Sequence, residues 1–404
     1  MEQVLYQLPD GWHWHKLKEL TTKIGSGATP KGGDKAYKRS GISLIRSLNV
    51  HDCLFKDDRL AFIDNEQADA LKNVIVESGD VLLNITGASI ARCCIVPDEF
   101  LPARVNQHVT IIRSTEKVES KFLNYLIVSP KFKAQLLWQG AGGATRQALT
   151  KAMVEELDIP LPSLPEQKRI VEKLDALLTR IDTAIEHLQE SITLADALLK
   201  SSLSSMLSKH EHWEQVRLNG VCHITSKLCD PREEEYLDMY HVGGANITSF
   251  SGELIDLKKA REEKLISGKF PFDDSMVLYS KIRPYLMKVA RPSISGICSA
   301  DIYPLAPDSQ KMTRDFLFYL LLSEPFTQYA IEGSSRAGMP KVNRNHLFNF
   351  EFHLPPIDEQ KSICESLDAL VDKTNEVNKE LDSKLSYLVG IKTSILNSAF
   401  KGEL

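Results

Sequence analysis

The sequence predicts an α+β protein with two globular units, each a mixed, curved β-sheet with short helices. Two long helices join the units and pair as an antiparallel coiled coil with pseudo-two-fold symmetry. Three observations lead to this. LPSLPEQKRIVEKLDALL at 161–178 recurs as LPPIDEQKSICESLDALV at 354–371, with eleven of eighteen aligned positions identical. Each copy opens on prolines and continues into apolar residues spaced alternately by four and three. Before each copy lies a stretch of short β-type runs, and the two stretches share little sequence. The segments are a first unit at 1–157, a helix at 158–209, a second unit at 210–353 and a helix at 354–404.

Within the globular stretches, Val81–Ile85, Val109–Ile112 and Val277–Tyr279 are β-type runs between Gly- and Pro-rich turns. A short helix is expected near Phe122–Val128, and its counterpart near Phe316–Leu322, where FLNYL recurs as FLFYL. Trp12…Leu17 resembles Trp213…Leu218, and Gly140–Leu149 aligns with Gly333–Val342. Such alternation of strands and short helices makes an α+β unit.

The long helices announce their starts. Pro160, Pro162 and Pro165 keep the chain out of helix before Glu166, and Pro355 and Pro356 do so before Glu359, with Asp358 as N-cap. Ile170, Leu174, Leu177, Ile181, Ala184 and Leu188 form one seam. Ile363, Leu367, Leu370, Thr374, Val377 and Leu381 form the other. A helix of about 40 residues is about 60 Å long. Alone, it would leave its seam wet. Two copies can bury each other, and the shortest return path is antiparallel.

Composition is ordinary for a soluble globular protein, at 43% hydrophobic and 25% charged. No apolar run approaches the roughly 20 residues of a membrane span, and the start MEQVLYQLPDGWHW lacks the pattern of a signal peptide. Seven scattered cysteines without a Cys-x-x-Cys pair imply reduced thiols and no structural zinc. His13 and His15 flank Trp14 as an edge rather than a metal site. Net charge is −5, but residues 1–157 carry 20 basic against 18 acidic groups, and 210–357 carry 17 against 19. Local patches therefore matter more than the total.

Catalytic signatures are missing. Gly140-Ala-Gly-Gly143 follows a helix-like run without a βαβ setting, and no phosphate loop or nucleophile elbow occurs. Glu233, Glu234 and Glu235 are consecutive, so their carboxylates diverge. Basic stretches without acids are more informative. KIRPYLMKVAR supplies Lys281, Arg283, Lys288 and Arg291 around Tyr285. GSSRAGMPKVNRN supplies Arg336, Lys341 and Arg344, and its counterpart GAGGATRQALTK supplies Arg146, Gln147 and Lys151. GSGATPKGGDKAYKRSGISLIRS supplies Lys31, Lys35, Lys38, Arg39 and Arg46. Thr86 and Ser89, in NITGAS, and Asn106 and Gln107, in VNQH, are polar tips beside apolar runs. These residues are candidates for DNA contact, since Arg and Lys neutralise phosphates and Arg, Asn and Gln read base edges.

Taken together, the proline–Glu-Gln–helix segments, GDVLLNITGASIARCCIVP, MVLYSKIRPYLMKV and the closing SILNSAFKGEL resemble the DNA specificity subunits of type I restriction-modification systems, along essentially the whole chain. GASIA stands where that family often has a second glycine. The resemblance implies two target recognition domains, each reading one half of a split duplex DNA site, with the paired helices setting the spacing. It implies that the chain is not catalytic and holds no cofactor. Modification subunits, two of them, would dock on the helices and use S-adenosylmethionine to methylate adenine N6. Restriction subunits would add an ATP- and Mg-dependent nuclease, all in the cytoplasm of a bacterium or archaeon. The alternative is a coiled-coil scaffold that never touches DNA.

Overall fold

The computed structural model describes residues 8–141, 148–208, 210–225, 227–334 and 339–404. The chain forms two compact units, Met1–Leu188 with Ser383–Leu404, and Gln189–Asp382. Both long helices, Leu164–Met206 and Ile357–Ala399, are shared between the units. The packing thus cuts across the expected boundaries at 157, 209 and 353. Each half-helix buries its stripe in the unit it belongs to, so a helix is not a segment by itself.

The helix starts differ in detail from expectation. Pro165 lies inside the first turn, where its missing N–H removes no helical bond. The second helix begins at Ile357, which places Asp358 and Glu359 in the first turn, at the positive end of the dipole.

The first unit holds two four-stranded sheets rather than one curved sheet. One runs Ala61–Ile63, Ile42–Ile45, Ala103–Val105, Ile75–Val76, with its central pair parallel. The other runs Thr21–Ser26, Val109–Ser114, Val81–Asn84, Cys93–Ile95, all antiparallel. His13–Lys16 pairs with Asp158–Leu161, which leads into the long helix. The second unit repeats these pairings. Lys258–Lys259, Tyr240–Val242, Gly296–Ser299 and Lys269–Phe272 form its mixed sheet. Cys222–His223, Ile302–Pro307, Val277–Ser280 and Val289–Ala290 form the antiparallel one. Glu214–Arg217 pairs with Glu351–Leu354. Strands such as Val81–Asn84 are buried at every position, so no alternation in sequence separates the two sheets.

The cores are matched but not identical. In the first unit Phe122 meets Phe400 edge-on, with ring centroids 5.4 Å apart. In the second, Leu207 occupies the place of Phe400, while Phe350 and Phe352 replace Leu157 and Ile159. Large and small side chains have changed places within a conserved volume, as close packing demands.

Two contacts explain the repeated sentence. Gln167 is fully buried; its Oε1 accepts the Glu119 N–H at 2.9 Å, and its Nε2 donates to the carbonyls of Lys117 and Pro162 at 3.0 Å each. Gln360 accepts the Thr313 N–H and donates to the carbonyls of Lys311 and Pro355, all at 2.8 Å. Two turns on, the Tyr125 hydroxyl donates to Asp175 at 2.5 Å and the Tyr319 hydroxyl to Asp368 at 2.6 Å. The invariant Gln and Asp of the two copies therefore fasten each helix to the globular part beside it.

In both units the helices run antiparallel. Lys392 bonds Asp182 at 2.6 Å, and Arg169 reaches the Leu404 carbonyl at 2.7 Å. In the second unit Asn378 bonds Asp196 at 3.0 Å, and Leu203 shares a core with Leu367. Ile170, Leu174, Ile181, Leu367 and Thr374 are buried as expected of a seam. Leu178 takes the buried place expected of Leu177, and Leu177, Leu188, Ile363, Leu370, Val377 and Leu381 are half-buried. The reason is that each helix packs on a globular face as well as on its partner, so its stripe is wider than a strict a/d seam.

Gln167→Met keeps volume but strands one N–H and two carbonyls. It should destabilise the first unit by about 2–4 kcal/mol, read as a loss of several degrees in Tm; an unchanged Tm would contradict the clamp. Asp368 gives a pH test. Burial opposes its ionisation, but Arg291 and the Tyr319 hydroxyl outweigh that and hold its carboxyl below the ordinary range. A lowered folded value means that its stabilisation is complete above about pH 4 and is lost as pH falls through that value. Asp368→Asn should lower Tm at neutral pH and flatten the acid limb; an equally steep limb would contradict this.

Candidate nucleic-acid interface

In the first unit, three loop tips converge. The Ile85 N–H donates to the His108 carbonyl at 3.0 Å, joining the loop after Val81–Asn84 to the turn Asn106–His108. Thr86 Oγ1 lies 2.6 Å from His108 Nδ1, and His108 Nε2 lies 3.1 Å from Gln107 Nε2. The Thr29 hydroxyl donates to Gln107 Oε1, which ties in the loop that carries Lys31. Thr86 also bridges Ala148, and the Leu149 N–H donates to the Ile85 carbonyl at 2.8 Å. The result is a polar tip of Thr29, Thr86, Gln107 and His108, without a carboxylate, lysine or arginine. Sequence reasoning pointed to the polar run but not to its centre, His108, and Thr29 carried no signal beyond its glycine-rich surroundings.

The other candidates of this unit divide by partner. Lys31, Lys35 and Arg39 are exposed and make no ion pair among the described residues. Lys38 pairs with Asp64 at 3.1 Å, and Asp64 is held below the usual carboxylate range first by the Gln67 N–H and then by Lys38. Arg46 packs over the Tyr37 ring at 5.1 Å and donates to the Arg59 carbonyl. Ser89 is half-buried in the turn Gly87–Ser89, and Lys151 is exposed beside Glu155. Asn106, expected to touch DNA, is instead buried, its Oδ1 accepting the His108 N–H at 3.0 Å. It shapes the turn because its side chain points inward.

The second unit builds the same backbone junction with different chemistry. The Lys281 N–H donates to the Asp301 carbonyl at 3.0 Å, as Ile85 does to His108. The Val342 N–H donates to the Lys281 carbonyl at 2.8 Å, as Leu149 does to Ile85, and Ile282 bridges Lys341 as Thr86 bridges Ala148. At the position of His108 stands Asp301, which accepts Lys341 at 3.0 Å and faces Lys281 at 3.5 Å. Burial opposes the charge on Asp301, but these lysines hold its carboxyl low; burial likewise pushes the Lys281 ammonium down.

Several candidates of this unit have partners within the protein. Lys281 has an 11% exposed side chain, donates to the Ala300 carbonyl and sits 5.0 Å over the Tyr303 ring. Lys288 donates to the Gly244 carbonyl. Arg291 pairs with Asp368 and with Asp315 at 3.3 Å, and stacks 4.8 Å over Phe318. Of these three cations, Arg291 is held by the long helix, and Lys281 and Lys288 by loops of the globular part. Arg283, Tyr285 and Arg344 remain exposed, Tyr285 by 54%. Arg146, Gln147 and Arg336 lie outside the described residues.

Among the described residues, no group of three His, Cys, Asp or Glu side chains could hold a metal ion. All seven cysteines are free, and no described helix is long and apolar enough to cross a membrane.

Comparison with known proteins places this duplicated frame. The family model of the type I restriction modification DNA specificity domain matches twice, at residues 9–194 and 210–387. The EcoDI specificity subunit of Escherichia coli is 27% identical over 71% of this chain and 70% of its own length. The StySPI specificity subunit of Salmonella potsdam is 22% identical over 98% and 90%. A solved chain described as the structural basis of complex assembly and conformational transition of the type I R-M system covers 99% of this chain and 100% of its own, at TM-score 0.77 and 22% identity. The HsdS subunit from Thermoanaerobacter tengcongensis covers 100% of both, at TM-score 0.56 and 21% identity. Since the specificity-domain model matches nearly all of both units, this chain belongs to the DNA specificity subunits of type I restriction-modification systems, whose part is recognition rather than catalysis.

Proposed function

We propose that this chain reads a bipartite duplex target, one half-site per unit, and recruits the subunits that modify or cut DNA. The observation that carries this is the junction built twice on one backbone plan, with hydroxyl, amide and imidazole groups around His108 in the first unit and a carboxylate–lysine cluster around Asp301 in the second. A frame kept constant while its polar tips change suits a pair of readers with unlike preferences. Lys31, Lys35 and Arg39 supply phosphate contacts that carry no sequence information. The two long helices set the number of unread bases between half-sites.

Two modification subunits dock on the long helices, which expose Leu194 and Leu198 at 62% and 60% and Tyr387 at 71%. Those subunits hold the S-adenosylmethionine for adenine methylation. Restriction subunits, with ATP and Mg, complete a nuclease in the cytoplasm, where the genome is.

Selection from a randomised duplex library by the complex with modification subunits should return two short fixed segments separated by unspecified bases. One continuous motif would overturn the bipartite reading, and no enrichment would favour the scaffold without a DNA role. Replacing Lys31, Lys35 and Arg39 by Ala should leave the selected motif intact and reduce the slope of log affinity against log salt by about 2–3. An unchanged slope would remove these three from the interface.

A further inference from the structure

We infer that Arg283 is the residue with which the second unit reads a guanine; this rests on the proposed DNA-reading function. In both units the strand that enters the junction returns through the same elbow. Asn84 and Ser280 close it identically, their N–H groups donating to the Arg92 carbonyl at 2.8 Å and the Lys288 carbonyl at 3.0 Å. Inside it the Ile90 N–H donates to the Gly87 carbonyl at 3.1 Å, and the Leu286 N–H to the Arg283 carbonyl at 2.9 Å. Arg283 therefore stands where the first unit has Gly87.

That position requires a left-handed backbone. Gly87 has φ +70°, which glycine adopts without penalty. Arg283 has φ 50° and ψ 65°, and it precedes Pro284, whose ring disfavours such values in the residue before it. The fold holds it there through its N–H, which donates to the Pro340 carbonyl at 2.9 Å. Strain of this kind persists where a side chain has to be aimed.

The aim is outward. Arg283 is exposed and pairs with no carboxylate among the described residues, whereas its neighbours Lys281, Lys288 and Arg291 all have protein partners. A phosphate contact tolerates many positions and would not call for a strained one. A guanidinium fork on the O6 and N7 of guanine in the major groove does, because both bonds must align. In the first unit the place of Arg283 is taken by Gly87, with Ala88 and Ser89 after it, so no cation stands at that point of the elbow.

The test is library selection by the complex with modification subunits, using Arg283→Gly and Arg283→Lys. Arg283→Gly should relax preference for G·C at one position of one half-site by roughly 5- to 150-fold. The other half-site and the gap should remain, and Tm should not fall, because glycine relieves the left-handed strain. Arg283→Lys should keep affinity and lose most of the discrimination. An unchanged motif, or a loss uniform across sequences that marks a phosphate contact, would overturn the inference, and a lower Tm for Arg283→Gly would overturn its strain argument. If the unsubstituted complex selects no split target, the proposed function fails instead, so the two failures are distinguishable.

Discussion

A buried primary amide at the first turn of each long helix is the constraint on which the rest depends. Gln167 and Gln360 each satisfy one N–H and two carbonyls that would otherwise be stranded in the core. No other uncharged side chain of that reach offers one acceptor oxygen together with two N–H donors. With the amide in place, the direction in which the helix leaves its globular part is set, and the tyrosine–aspartate bond two turns later holds it. The same words recur 193 residues apart because the same joint is made twice.

Once the joint is constant, the surfaces beyond it are free to diverge. The core shows this first: Phe400 against Leu157 and Ile159 in one unit answers Leu207 against Phe350 and Phe352 in the other. The junction shows it again, since backbone bonds at Ile85 and Lys281 are alike while an imidazole at His108 answers a carboxylate at Asp301. The elbow carries the divergence furthest, with glycine in one copy and a strained arginine in the other.

What the sequence revealed follows from how far each signal reaches. The helices were legible because prolines, an apolar repeat and a second copy all agree. Their first turns are less legible, since Pro165 is as welcome inside a first turn as before it. The seam spacing points to Leu177 where Leu178 is the buried residue, because it assumes one partner and these helices have two. The two-sheet layering was hidden by short strands buried on both faces. Charge was the poorest guide: KIRPYLMKVAR looks uniformly available, yet Arg291 and Lys281 are turned inward by Asp368 and Asp301, residues distant in sequence. Arg283 is set apart from Lys281, Lys288 and Arg291 by its exposure together with its left-handed φ, both invisible without coordinates.

The central claim is that frame and reading surface are separable. The direct measurement is a chimera in which residues 214–350 are replaced by the corresponding residues of another specificity subunit, with both long helices and Gln360 retained. Methylation motifs would then be mapped across a host genome. The account predicts that one half of the methylated motif changes to that of the donor, while the other half and the intervening length stay as they were. A motif altered in both halves, or in its gap alone, would contradict it.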